Sequence, residues 1–287
     1  MHRFALIVAL ACVPACTTVE DAPAQVTPAV TISPREATAG SPLQMTYSFA
    51  TATDAAPLDP RTRVFVHFLD DVGRVIWMDD HNPPVRADTW KADSTVMYTR
   101  TVFIPGVSYI GDTDVEVGLY VPDTGARVPL RTAAGTVRTF RAGTLALRLQ
   151  TESPLITFAR GWYPPEGSVD GAEPQWRWSS RRGTLSFRNP RRDIVVLLDT
   201  DEPLTDGGVR TSSVYVGTTR VASFPLTPRQ RQLLRLPISR QQLGNTDPVM
   251  LTLAVDRTIV PARILPTGSP DTRPLGVRVF HAYVQPN

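Results

Sequence analysis

The sequence predicts an all-β protein of two tandem β-sandwiches, and three features carry that reading. Short apolar runs rich in valine and threonine recur along the chain, several alternating with polar residues as half-buried strands do. The 27 prolines and 18 glycines fall between those runs and form no tract, so they read as turns and not as disorder. At 287 residues the chain exceeds one average domain and is long enough to bury two cores without staples.

Residues 1–15 read as a signal peptide. His2 and Arg3 give a basic start, residues 4–11 are apolar, and Val13-Pro14-Ala15 leads into Cys16. That apolar run is far too short to cross about 30 Å of hydrocarbon as a helix. The closing tetrad resembles a bacterial lipobox, which makes Cys16 the lipidated first residue of the mature protein, with Cys12 the second candidate. Ordinary cleavage, leaving Cys16 as a free thiol, is the alternative. Residues 16–28 are the lipidated cysteine and a small, polar, proline-bearing tether.

The first sandwich occupies residues 29–150. Strands are predicted at 30–32, 43–49, 64–69, 75–78, 95–104, 115–120, 128–130 and 137–140. Asp70-Asp71-Val72-Gly73 makes the hairpin connection, with Gly73 free to take positive φ. A boundary falls near 150–154. The second sandwich, residues 151–287, has predicted strands at 155–158, 176–178, 183–187, 193–198, 210–216, 221–224, 233–238, 250–255 and 276–283. One helical turn is predicted at 239–243, capped by Ser239 and stopped by Gly244. Two packed sheets are the natural solution for so many strands.

Composition narrows the function. No cysteine follows Cys16, which excludes a disulfide framework and a cysteine metal site. The formal charge of +3 becomes +2 once Arg3 leaves, a mixed surface and not a field for nucleic acid. There is no His-Glu-x-x-His, no Gly-x-Ser-x-Gly and no phosphate-binding glycine loop. Glu166 with Asp170 or Glu173 would be a carboxylate pair for glycoside hydrolysis, but acidic loops are too common to favour it. The reading is therefore non-enzymatic, with no cofactor.

Two groups of residues are candidates for a site. Asp79, Asp80 and His81 lie near Asp88 and Asp93, an oxygen-rich set for calcium that lacks the spacing and central glycine of a calcium loop. Asp70 and Asp71 belong at the opposite pole of the hairpin and should not converge with Asp79 and Asp80. Aspartates that end strands and cap turns are the simpler account. His67 reads as a hydrogen-bonded core or interface histidine, and Trp77 and Trp90 as packing anchors. In the second half Trp162, Tyr163, Trp176 and Trp178 cluster. Trp176 and Trp178, two apart on a strand, face one side and Arg177 the other. Exposed, the rings form a platform for sugar C–H faces, with Glu166, Arg177 and Arg181 bonding hydroxyls. Facing inward, they are core. Arg181, Arg182, Arg188, Arg191 and Arg192 form a solvated hairpin rim.

The segment Val64-Phe65-Val66-His67-Phe68-Leu69-Asp70, with Gly73, Asp79-Asp80-His81-Asn82-Pro83-Pro84 and Trp90, resembles a β-sandwich module of bacterial envelope proteins. The same module extends some membrane glycosyltransferases that use polyprenyl-linked sugars. Gly118-Leu119-Tyr120, Thr124-Gly125 and Arg127-Val128-Pro129-Leu130 match its later strands. Gly161-Trp162-Tyr163, Glu166, Trp176-Arg177-Trp178 and Leu275-Gly276-Val277-Arg278-Val279 resemble a jelly-roll module found in the same context. The resemblance implies an immunoglobulin-like sandwich followed by a jelly roll. It does not carry glycosyltransferase activity, whose membrane-embedded part has no counterpart here. The expectation is a non-catalytic, lipid-anchored cell-envelope protein, periplasmic or surface-facing, that recognises a glycan. A scaffold for an export or glycan-assembly machine is the alternative.

Overall fold

The computed structural model describes residues 23–106, 109–149, 154–167, 175–265 and 268–286. The signal peptide, Cys16, the boundary at 150–153, Asp170 and Glu173 lie outside the described residues. Among the described residues no helix is long and apolar enough to cross a membrane.

The chain is all-β. Its first ten strands are β1 (Val26–Ser33), β2 (Glu36–Thr38), β3 (Pro42–Thr51), β4 (Arg63–Leu69), β5 (Val75–Met78), β6 (Thr95–Phe103), β7 (Gly111–Tyr120), β8 (Leu130–Thr132), β9 (Gly135–Val137) and β10 (Phe140–Arg148). They form two sheets, ordered β6-β3-β1-β8-β9 and β2-β10-β7-β4-β5. Alternation decides which faces meet. Leu43, Met45, Tyr47 and Phe49 of β3 share one core with Val64, Val66 and Phe68 of β4 and with Val115, Val117 and Leu119 of β7. On the outer face of the second sheet Gly118 admits Phe65. A Cβ at Gly118 would lie 2.3 Å from the Phe65 ring.

Nine further strands follow: β11 (Thr157–Phe158), β12 (Arg177–Trp178), β13 (Arg182–Phe187), β14 (Ile194–Asp201), β15 (Arg210–Val216), β16 (Thr219–Leu226), β17 (Gln232–Ile238), β18 (Val249–Val255) and β19 (Arg278–Pro286). Their sheets are ordered β11-β13-β18-β15-β16 and β12-β19-β14-β17. Leu185, Phe187, Leu251 and Leu253 of the first close a core with Ile194, Val196, Leu198, Val279 and Val284 of the second. The helical turn α1 (Arg240–Leu243) carries a full capping box between Ser239 and Gln242 and stops at Gly244, φ 67°. A second turn, α2 (Pro261–Ile264), is not foreseen from sequence. Pro at its first position supplies the fixed φ that starts it.

The β12-β19-β14-β17 sheet faces its core with one side, and the other side positions the site. A register shift between Asp199 and Thr200 leaves Phe280 as the extra residue on β19. Val279 and Ala282 pack on the core, so Phe280 and His281 both turn away from it. Leu197 and Tyr283 on that outer side meet Phe103 of β6 in a small apolar seam, flanked by Val195 and Leu233. The His281 ring lies parallel to the Phe103 ring, centroids 4.3 Å apart. The seam joins the first pair of sheets to the second.

Candidate functional site

The second-half candidates divide between two sides of β12. Trp178 stands opposite Arg278 and Arg177 opposite Val279. The Arg278 guanidinium lies 4.7 Å from the Trp176 ring, 5.8 Å from Trp178 and 5.0 Å from Phe280, and it is ion-paired to Asp201. The same-side placement of Trp176 and Trp178 therefore holds, but Arg278 covers the rings. Trp178 is only 4% exposed and is packing, not platform.

Trp162 sits elsewhere. Its Nε1 donates to the Thr184 carbonyl at 2.9 Å, and its ring meets Phe158 edge to face at 4.9 Å. Arg177 lies over that same Phe158 ring at 5.2 Å. Trp162 thus shares the side of Arg177, and the three tryptophans do not make one stacking surface. The reason is Gly161 at φ 77°, which turns the loop back so that Trp162 bridges Ser179 and Glu166 bridges Trp176.

Tyr163, Glu166 and Trp176 do come together, through Arg273, a residue sequence reasoning missed. Glu166 takes Arg273 Nη1 at 2.7 Å and the Trp176 Nε1 at 3.3 Å, while Arg273 lies 4.9 Å from the Tyr163 ring. Arg181 is apart, donating to the Asp256 carbonyl at 3.3 Å.

The acidic candidates of the first half do not assemble a cation site. Asp79 accepts two bonds from Arg100, at 3.2 and 3.0 Å, and Asp80 accepts the Val66 N–H at 3.1 Å. Asp88 is paired with Arg86 at 2.8 Å, and Asp70 caps its turn through the Arg74 N–H at 2.8 Å. Among the described residues no group of three His, Cys, Asp or Glu is placed to hold a metal. Asp70 caps its turn and Asp88 pairs with Arg86 two residues away, whereas Asp79 and Asp80 take the distant Arg100 and Val66 as donors. His81 is buried. Its Nδ1 faces the Asp79 carbonyl at 2.9 Å, so the proton belongs there, and Nε2 accepts the Tyr98 hydroxyl at 2.7 Å. Burial, then the Arg100 charge, pushes its pKa down to about 3. Trp90 donates to the Val85 carbonyl at 2.9 Å and stacks on Phe49, as an anchor should.

Trp77 has a second role. It lies flat on Phe68, centroids 3.8 Å apart, and lines a cleft of about 850 Å³ beside the seam. Arg63, Asp79, Asp80, Arg100 and Tyr120 line the same cleft from the first half, and Asp199, Arg231 and His281 from the second. Asp199 takes Arg231 through two bonds at 2.9 and 2.6 Å and has His281 Nδ1 at 3.3 Å. Burial alone would raise the Asp199 carboxyl, but the bonds from Arg231 and His281 outweigh it and hold the pKa below the ordinary value. At Asp79 the balance reverses. Burial dominates Arg100 and the carboxyl is held above its ordinary pKa. Tyr120 bonds Asp80, and burial followed by that charge raises its hydroxyl. Two N–H donors of lining residues, Arg63 Nε and Trp77 Nε1, are buried without a partner, an arrangement that costs about 1–3 kcal/mol each. The cleft therefore combines aromatic rings with planar guanidinium–carboxylate pairs, one on each wall.

No protein-family model and no curated protein sequence matches the chain. Among solved structures it is similar to the SGBP-B of a xyloglucan utilization locus in Bacteroides uniformis, at 8% identity and TM-score 0.33, over 92% of this chain and 74% of that one. It is similar to the CBM51-2 and INT domains of Clostridium perfringens ZmpB at 11% identity and TM-score 0.27, over 62% and 38%. For the Pseudomonas fluorescens DNA glycosylase AlkC the values are 15% and 0.26, over 44% and 31%. The chain spans about a third of the length of the last two. Likeness at this level assigns no function.

Proposed function

We propose that the chain is a non-catalytic, lipid-anchored envelope protein, an immunoglobulin-like sandwich followed by a jelly roll, that recognises a glycan in the cleft between its two halves. The observation that carries this reading is the cleft lining. Sugar hydroxyls each donate and accept, and Arg100–Asp79 and Arg231–Asp199 offer hydrogens and lone pairs side by side. Trp77, Tyr120 and His281 supply ring surface for sugar C–H faces. The wall is more polar than a drug-like pocket, as suits a ligand covered in hydroxyls, with Trp77, Met78, Val102 and Phe103 as its apolar part. The anchor rests on the sequence alone, on residues 4–11 and the approach to Cys16.

The test is a glycan array probed with the full chain. Binding should fall at least about tenfold in Asp79→Ala and Arg231→Ala variants whose melting shows a retained fold. An array without a single hit refutes recognition. The scaffold alternative is favoured by one observation, the exposed Val72, Val75 and Met78 of the β4–β5 hairpin, at 68%, 47% and 61%. It predicts a protein partner lost in Met78→Asp with glycan binding absent throughout.

A further inference from the structure

The charge inventory of the cleft narrows the class of ligand, a step that rests on the glycan-recognition reading above. We propose that the cleft selects neutral glycans and rejects acidic ones. Its carboxylates are Asp79, Asp80 and Asp199 and its guanidiniums are Arg63, Arg100 and Arg231, so the formal charges cancel.

Their pairing matters more than their sum. Asp79 holds Arg100, and Asp199 holds Arg231, each through two bonds. An anion drawn to either arginine must displace the partner carboxylate, which stays largely out of water, or lie close beside that negative charge. Removing one partner of such a pair is strongly unfavourable. The remaining guanidinium, Arg63, gives its Nη2 to the Asp80 carbonyl at 3.3 Å. An acidic sugar drawn to Arg63 still shares the cleft with three carboxylates, and repulsion among close like charges is weakly screened away from bulk water.

A neutral sugar meets none of these penalties. Asp79 accepts one bond from Arg100 at each oxygen and retains lone pairs, and Arg100 has guanidinium N–H groups beyond those two. Hydroxyls can therefore donate to Asp79 and accept from Arg100 without breaking that pair.

The full chain is titrated calorimetrically with neutral oligosaccharides (β-glucan, mannan and N-acetylchitin oligomers) and acidic ones (polygalacturonate and hyaluronate oligomers), at 50 and 500 mM sodium chloride. The expected result is binding by a neutral oligomer at least about tenfold tighter than by any acidic one. Its Kd should change less than about twofold over that salt range, since no net charge is neutralised. Asp199→Asn releases Arg231 and removes one negative charge, and should improve acidic binding relative to neutral by about tenfold. Should that variant melt below the assay temperature, Arg100→Gln replaces it. That change leaves Asp79 uncompensated and should weaken acidic binding further.

An acidic oligomer that binds tighter than every neutral one, with steep salt dependence, overturns the neutral preference and leaves glycan recognition standing. Neutral binding that neither variant alters, in affinity or in selectivity, overturns the assignment to this cleft. Absence of any binding overturns both readings.

Discussion

Trp178→Ala separates a packing tryptophan from a stacking one. The indole is 4% exposed, lies beside the Arg278 guanidinium, and faces away from the second core on the covered side of its sheet. An aromatic side chain of this kind buries about 150–250 Å², which at about 25 cal/mol per Å² gives about 4–6 kcal/mol as an upper estimate. Truncation of a buried tryptophan measures about 3–5 kcal/mol, because the lining collapses only in part. Against a total stability of about 5–15 kcal/mol the loss is large, and it corresponds to a fall in Tm of about 10 °C or more for a unit of this size. Trp176→Ala is the internal control. That ring is half-buried and loses one hydrogen bond to Glu166 and an edge contact to Phe280, so about 1–2 kcal/mol is expected. Guanidinium unfolding followed by far-ultraviolet circular dichroism gives both values, with the slope unchanged if only stability has moved. A loss below about 1 kcal/mol for Trp178→Ala refutes the packing, and so does a ranking with Trp176 the costlier.

Three further outcomes follow from single residues. Glu202 and Arg210 form an ion pair with side chains 2% and 1% exposed, and Arg210 also bonds the Leu275 and Gly276 carbonyls. Glu202→Ala should cost about 3–5 kcal/mol in chemical unfolding, because it strands a buried guanidinium. A cost under 1 kcal/mol counts against the burial. Gly161→Ala places a Cβ 1.9 Å from the Arg182 carbonyl oxygen at φ 77°, so a melt should show the second half destabilised by several kcal/mol, and an unchanged melt contradicts the loop geometry. His81 carries a folded pKa of about 3 against an unfolded value near 6.5. The unfolded state binds the extra proton between those values, so stability is full above about pH 6.5 and falls as pH drops towards 3, by up to about 1.4 kcal/mol per pH unit. His81→Gln should flatten unfolding free energy against pH in that window, and an unchanged slope assigns acid sensitivity to other groups.

The sequence made the strands legible wherever one face is buried and the other wet. β3 and β7 alternate cleanly because Leu43, Met45, Tyr47 and Phe49, and Val115, Val117 and Leu119, must all reach one core. β10 was not legible: the strand predicted at 137–140 runs from the last residue of β9 to the first of β10. A register shift between Arg141 and Gly143 breaks the period of two, and the run that pairs with β7 beyond it carries mixed side chains. The loop ending at Glu166 was harder still. Its fold-back depends on a positive φ at Gly161 and on two isolated bridges, neither of which leaves a periodic trace.

The cleft was illegible for a different reason. Asp79 and Asp199 share it only because the seam at Phe103, Leu197 and Tyr283 docks one pair of sheets on the other, and no local pattern encodes that docking. One signal was nonetheless present. β14 is apolar from Ile194 to Leu198 and then places Asp199 and Asp201 at alternate positions, both on the side away from the core. Two charges on the same face of a strand need cations opposite, and the sequence supplies Arg231 to Asp199 and Arg278 to Asp201. Phe280 lies under both arginines, 3.9 Å from Arg231 and 5.0 Å from Arg278. Two of the three tryptophans that sequence reasoning chose, Trp176 and Trp178, and the cleft that it missed are therefore ends of one strip across one sheet face, running from Trp176 through Arg278, Phe280 and Arg231 to Asp199. Because Arg231 is the link held by both Asp199 and Phe280, a change at Trp176 that shifts Phe280 should be felt at the cleft through that guanidinium. Trp176 and Trp178 marked the right face, and the charge pairs on it line the cleft proposed to hold a ligand.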